Sequence, residues 1–183
     1  MRSVSFLLGL VVSMTISLGI VWAHERYDRD EFGGWLDFDN DCQDTRQEVL
    51  IRNSLKKPIM LDDCRVLRGE WFDPYTGTIY TDPANVHIDH RVALKEAWEG
   101  RVKWTELERR VFANEMDNLL VVGAGVNMKK SAKPPHQWMP RQEHGCAYLM
   151  ERYKTQRKWD IRPTWEEAIF VINYLEMCDV NDG

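Results

Sequence analysis

Hydrophobic positions along this chain change spacing several times, and each change marks an element. After Asp44, the residues of TRQEVLIRNSL alternate with a helical period. Asp44 is a candidate N-cap, with Gln47 three residues on in the manner of a capping box, so a helix is predicted over 44–55. RGEWFDPYTGTIY has strand character broken at Asp73-Pro74 and again around Gly77, the pattern of a hairpin. Asn85 to Val92 reads as a short strand, Ala93 to Trp98 as a helical turn or two, and Thr105 to Asn114 as a charged helix. Leu119 to Val122 is an apolar strand and 123–125 a turn. Asn127 then starts a short helix that Pro134-Pro135 ends. Cys146 opens a helix running to Trp159. Thr164 and Glu167 form another capping box, after which Ala168, Ile169, Ile172 and Leu175 mark one face expected to be buried. The mixture is that of an α+β chain, without internal repeats or low-complexity segments.

With 183 residues, 44% hydrophobic content and eight tryptophans, the chain can build one substantial core but hardly two, so residues 24–183 read as one domain. Residues 1–23 stand apart. Arg2, an uncharged run from Val4 to Val21 and small Ala23 have the order of a secretory signal peptide, the alternative being a retained membrane anchor. A secreted or periplasmic location suits Cys42, Cys64, Cys146 and Cys178, which are even in number and contain no CxxC pair. Three pairings are open. The local pattern favours Cys42 with Cys64 and Cys146 with Cys178, because an antiparallel hairpin of the last two helices would bring the second pair together. Their spacings fit no zinc knuckle.

The formal net charge is -5, which opposes tight, unspecific capture of nucleic acid. The segment from Ala84 to Gln142 reverses the sign, with ten basic and seven acidic side chains. That polarity suits weak, salt-sensitive contact with phosphate at one face, although a solvated surface would look the same.

The same segment holds HIDHRVALKEAW, ANEMDNLLVV and NMKKSAKPPHQWMP. Cleaving a phosphodiester requires a base to activate water, a cation to stabilise the crowded phosphate, and donors to position it. His90 can be the base. Asp89 points to the opposite side of an extended chain and can ligate the cation, and Asn127 offers a second, neutral oxygen. Hard oxygens in an incomplete shell fit Mg2+, with Mn2+ as a substitute and zinc less favoured. Arg91, Lys129 and Lys130 are candidate phosphate or nucleic-acid contacts. Each residue also has an ordinary reading: His90 as a hydrogen-bonded strand histidine, Asn118 as a turn residue, Asn127 as a helix cap, the lysines as a solvated face. A second constellation, Asp37, Asp39, Asp41 and Glu48, falls in a calcium-loop register. Its central position, normally Gly, is Cys42.

Taken in order, these motifs resemble the HNH endonuclease family, specifically the secreted branch related to the GmrSD-type C-terminal nuclease domain. The resemblance begins at YDRDEFGGW and DFDNDCQDTRQEVL, continues through DPYTGTIY, is densest in the three stretches above, and ends with CAY and the closing helices. It implies a ββα-metal core over residues 86–140, embedded in additional helices and short strands and stapled by disulfides. It implies Asp89 and Asn127 as metal ligands, His90 as general base, and Asn118 as the residue orienting the catalytic loop and the His90 ring. Lys130 matches an N-x-x-K lysine at the phosphate, and Arg46 belongs to a shared Asp-Thr-Arg element that would bring a cation beside the metal. His87 reads as mainly structural. Ser131-Ala132 departs from the Gly-Asp usual after that lysine. The implied function is an exported, Mg2+-dependent endonuclease acting on DNA, with RNA as a second substrate. Two alternatives stand beside it: a non-catalytic secreted module binding calcium or a protein partner through its acidic loop, and a phosphodiesterase acting on a non-nucleic substrate.

Overall fold

The computed structural model describes residues 26–100 and 104–181; the expected signal peptide lies outside them. Helix α1 (Thr45–Arg52) starts as its sequence dictates, with the Asp44 carboxylate accepting from the Gln47 amide at 3.0 Å. The expected capping box does not close. The Gln47 side chain instead accepts from the Val66 amide at 2.9 Å, and the helix ends at Arg52, short of Leu55. Val66 belongs to a hairpin that the hydrophobic pattern did not announce, β1 (Ile59–Leu61) with β2 (Arg65–Arg68). Its turn places Asp62 and Asp63 at φ 51° and 57°, left-handed values that suit tight hairpins. The expected hairpin is present as β3 (Trp71–Phe72) and β4 (Ile79–Tyr80).

Strands β5 (Val86–His90) and β6 (Leu119–Gly123) form the antiparallel ribbon on which the rest is arranged, in register from Val86 opposite Gly123 to His90 opposite Leu119. Because strand side chains alternate, the ribbon has two apolar faces. Val86, Ile88, Leu119 and Val121 pack with Val49, Leu50 and the fully buried Trp71, whose indole donates to the Leu50 carbonyl at 2.8 Å. Leu120 and Val122 pack on the other side with Tyr75, Tyr148 and Leu149. A third cluster, beyond the end of β5, gathers Phe32, Val92, Phe112 and Ile161 under partly buried tryptophans.

Helix α4 (Ala124–Lys130) follows β6 without a loop, Gly123 being both the last strand residue and the N-cap. The turn expected at 123–125 is therefore absent, and Asn127 sits in the second turn of the helix rather than at its start. A Cβ at Gly123 would lie 2.3 Å from the Tyr80 hydroxyl, so only glycine lets the chain fold this tightly onto the ribbon. Short α2 (Leu94–Glu99) follows β5, and α3 (Glu106–Ala113) carries a closed capping box between Thr105 and Glu108.

The chain ends in α5 (Gln142–Lys158) and α6 (Trp165–Asn181), with α5 beginning before Cys146. Cys146 bonds Cys178 and Cys42 bonds Cys64, the local pairing. The expected buried face of α6 is corrected, for Ile169 and Ile172 are 42% and 59% exposed. Glu167 bonds Arg152 of α5 and Cys178 bonds Cys146, and these attachments turn Val171 and Tyr174 inward beside Leu175, the one residue of the expected face that packs on the core. Among the described residues, no helix is long and apolar enough to cross a membrane.

The bridge between α5 and α6 closes a sequence separation of 32 residues. Replacing both Cys146 and Cys178 by serine is expected to cost about 3 kcal/mol of stability, read as a lower urea midpoint at unchanged slope. An unchanged midpoint would mean that the remaining α5–α6 contacts suffice.

Candidate active site

At the Asp89–His90 end of β5 lies a cleft of about 300 Å3 whose walls include Arg29, Asp89, His90, Lys95 and Asn127. Asp89 and His90 point to opposite faces of the ribbon, and they share the cleft because the strand ends there. The His90 ring is 6% exposed, stacks at 5.8 Å on Trp35, and its Nε2 lies 2.8 Å from the Ala113 carbonyl. A carbonyl only accepts, so the proton resides on Nε2. Nδ1, which has no hydrogen-bond partner among the described residues, keeps its lone pair. Burial, reinforced by the charges of Arg29 and Lys130, lowers the pKa to about 4 even though the Ala113 carbonyl and Asp89 oppose the shift. The ring is therefore neutral at pH 7.

Asn118 is fully buried and holds the loop that follows His90. Its Oδ1 accepts from the Val92 amide at 2.9 Å, its Nδ2 donates to the Val92 carbonyl at 3.0 Å, and its own carbonyl accepts from the Arg91 amide at 2.9 Å. Asn118 thus fixes the backbone, while the His90 ring itself is set by Ala113 and Trp35.

Asp89 faces α4. Its Oδ2 accepts from the Tyr75 hydroxyl at 2.6 Å and from the Lys130 ammonium at 2.9 Å, and Lys130 also donates to the His90 carbonyl at 2.9 Å. Burial and the neighbouring Asp89 raise the Tyr75 pKa well above its ordinary value, so this hydroxyl remains a donor. Lys130, expected at the phosphate, is 1% exposed and committed to these internal acceptors. The helix runs back along β5, which brings Lys130 under Asp89 and leaves its ammonium no path to solvent. One turn earlier, the Asn127 amide lies 3.3 Å from His87 Nδ1. Asp89 and Asn127 both line the cleft, and theirs are the hard oxygens that could hold an ion there, in an incomplete shell that would leave it waters and a place for a substrate oxygen.

Two other expected positions lie elsewhere. Arg46 donates to the Pro83 carbonyl at 3.0 Å and the Val86 carbonyl at 3.3 Å, at the far end of β5. By strand rise that is roughly 13 Å from His90. Its burial against these carbonyls, which lowers its pKa, makes it a strand anchor. Arg91 donates to the Asp117 carbonyl and borders a separate small cavity beside Tyr75 and Tyr148. Lys129 is exposed on α4.

Sequence reasoning missed Arg29 and Lys95, the cations that do line the cleft. Lys95 sits on α2 and pairs loosely with Glu99 at 3.5 Å. Arg29 is exposed and carries no salt bridge among the described residues. Its arm is pinned by fully buried Phe32 and by Glu31, which pairs with Arg109 at 2.6 Å. Only the arginine's place in YDRDEFGGW could have drawn attention to it.

The acidic loop forms a separate feature. Asp37, Asp39 and Asp41 bring carboxylate oxygens within 4.8 Å of one another, and partial burial together with these charges raises the pKa of Glu48. Cys42 adopts φ 76°, so the absence of glycine at that position does not prevent the turn.

A family model described as the C-terminal domain of GmrSD restriction endonucleases matches residues 37–170. A protein of Arthroderma benhamiae described as an uncharacterized secreted protein is 34% identical over 157 residues, covering 83% of this chain and 76% of that protein. No solved structure matches.

The lowered pKa of His90 has a measurable consequence. In the unfolded chain the imidazole takes up its proton near the ordinary value of about 6.5, but in the folded, metal-free protein only near 4. The associated stability is fully present above pH 6.5 and is lost as pH falls towards 4, by about 3 kcal/mol at most. NMR titration of metal-free protein should show the His90 ring unchanged between pH 8 and 5. A midpoint near 6.5 would contradict the buried, carbonyl-anchored geometry.

Proposed function

This chain belongs to the family of the C-terminal domain of GmrSD restriction endonucleases, and from that premise we propose that it is an exported, metal-dependent endonuclease hydrolysing the phosphodiester bonds of DNA, with RNA as a second substrate. In this reading β5, β6 and α4 are the ββα-metal unit, His90 is the general base, and residues 1–23 are the signal peptide that exports it. The observation that carries the reading is the state of His90: a buried, neutral imidazole with one nitrogen anchored on Ala113 and the other without a partner among the described residues, in a cleft shared with Asp89 and Asn127.

A divalent ion held by Asp89 and Asn127, Mg2+ by the hardness of both oxygens and Mn2+ as substitute, would supply positive charge to the phosphate and the leaving oxygen. The remaining work falls to side chains. Lys130 and the Tyr75 hydroxyl donate to the Asp89 carboxylate and fix its orientation. His90 Nδ1 takes the proton of the attacking water, and the Ala113 carbonyl holds the resulting imidazolium through Nε2–H. A bound phosphate brings negative charge beside the ring and raises its proton affinity when the proton must be accepted. Arg29 and Lys95 take the phosphate-holding part first expected of Lys130, since theirs are the cationic heads that border the cleft.

Purified mature protein should nick plasmid in Mg2+ or Mn2+ and lose this activity in EDTA. His90→Ala, folded by circular dichroism, should lose on the order of a thousandfold in rate. Arg29→Ala should lose on the order of a hundredfold in kcat/KM. Cleavage of a small diester but not of plasmid would move the substrate outside nucleic acid. Calcium binding with no cleavage of either would move function to the acidic loop.

A further inference from the structure

The two residues after His90 carry four backbone polar groups, and each has a partner. Asn118 satisfies both amides and the Val92 carbonyl. The fourth, the Arg91 carbonyl, is taken by a residue far along the chain: Arg152 of α5 donates to it from Nη1 at 2.7 Å, with the Tyr148 hydroxyl at 3.5 Å. Arg152 is 2% exposed. Its guanidinium is held in turn by Glu167 of α6, at 2.8 Å from Nη2 and 3.2 Å from Nε, and by Glu96 of α2. Gln156 donates to both glutamates, at 2.9 and 3.0 Å. A planar donor fork in this setting has little freedom, so its reach to Arg91 is fixed by three helices at once.

We propose that Arg152 is a positioning residue for the reaction, a second latch beside Asn118 that holds the His90–Val92 backbone in its working place. The proposal rests on the nuclease reading above. Neither glutamate reaches the cleft wall formed by His90, so the effect travels through the Arg91 carbonyl and through α2, whose next residue back from Glu96 is the cleft cation Lys95. A buried arginine between two glutamates would staple helices in any protein. What singles this one out is the remaining donor, spent on the carbonyl adjacent to His90.

Arg152→Lys keeps a cation between Glu96 and Glu167 but loses the fork that reaches Arg91 at the same time. Tyr174→Leu serves as the comparison: its hydroxyl end sits against Gly145, so it loosens the α5–α6 contact without touching the latch. In Arg152→Lys, hydrogen exchange at the Arg91 and Val92 amides should quicken while β6 stays protected. Affinity for Mn2+, measured by calorimetry, should be unchanged. Plasmid cleavage should show kcat lowered roughly 10- to 100-fold with KM nearly constant, the signature of displaced reacting groups. Tyr174→Leu should lose at least as much thermal stability and keep kcat. Wild-type kcat and exchange in Arg152→Lys, or an equal loss of kcat in Tyr174→Leu, would overturn the proposal. Failure of wild-type protein to cleave anything would overturn the nuclease reading instead, and amide exchange would still decide whether Arg152 holds the loop.

Discussion

The two-residue period of an extended chain governs this molecule. Over five residues of β5, Val86, Ile88 and His90 face one side and His87 and Asp89 the other, so a carboxylate and an imidazole adjacent in sequence are held apart by the strand they share. They border the same space only where the strand stops. That stop is enforced: the chain continues into backbone positions already claimed by Asn118 and Arg152, so pairing with β6 ends at Leu119 and the cleft opens. Sheet register, loop and cleft are consequences of one alternation and one well-satisfied termination.

Burying ionised groups beside this ribbon carries a desolvation cost that is offset only by complete pairing. Asp89 with Lys130 and Tyr75, and Arg152 with Glu96, Glu167 and Gln156, meet that condition. Each lies at a junction of elements. The first joins α4 to the ribbon, the second joins α2, α5 and α6 to the loop after His90. Apolar contacts of similar volume would hold the helices equally well, but they would not fix a carboxylate oxygen or a backbone carbonyl in direction. The geometry of the cleft needs that direction.

Much of this was legible in the sequence. The alternation around Asp89 and His90, the apolar run of β6, the charged helix after Thr105 and the local disulfide pairing all follow from short-range pattern, and pattern of that kind survives folding. The errors share a cause in tertiary contact. Lys130 read as a phosphate contact because its motif carries a lysine there; the helix phase that turns it under Asp89 depends on the absence of a loop after Gly123. Ile169 and Ile172 read as core until Arg152 and Cys146 set the rotation of α6. Arg46 had a motif but not a location. Arg29, Ala113 and Arg152 carry no local signal, since each matters through what lies opposite it in space, and the family match begins only at residue 37, beyond Arg29.

The loopless corner at Gly123 limits how the chain can vary. Every residue inserted into α4 ahead of Asn127 would rotate the rest of the helix by about 100°, swinging Asn127 off the cleft and the Lys130 ammonium away from Asp89 together. With no slack upstream to absorb such a change, and with the Tyr80 hydroxyl occupying the space a side chain at 123 would need, the stretch from Leu119 to Lys130 must keep its length. Drift can accumulate in its surface letters, whereas insertions and deletions must find room outside it.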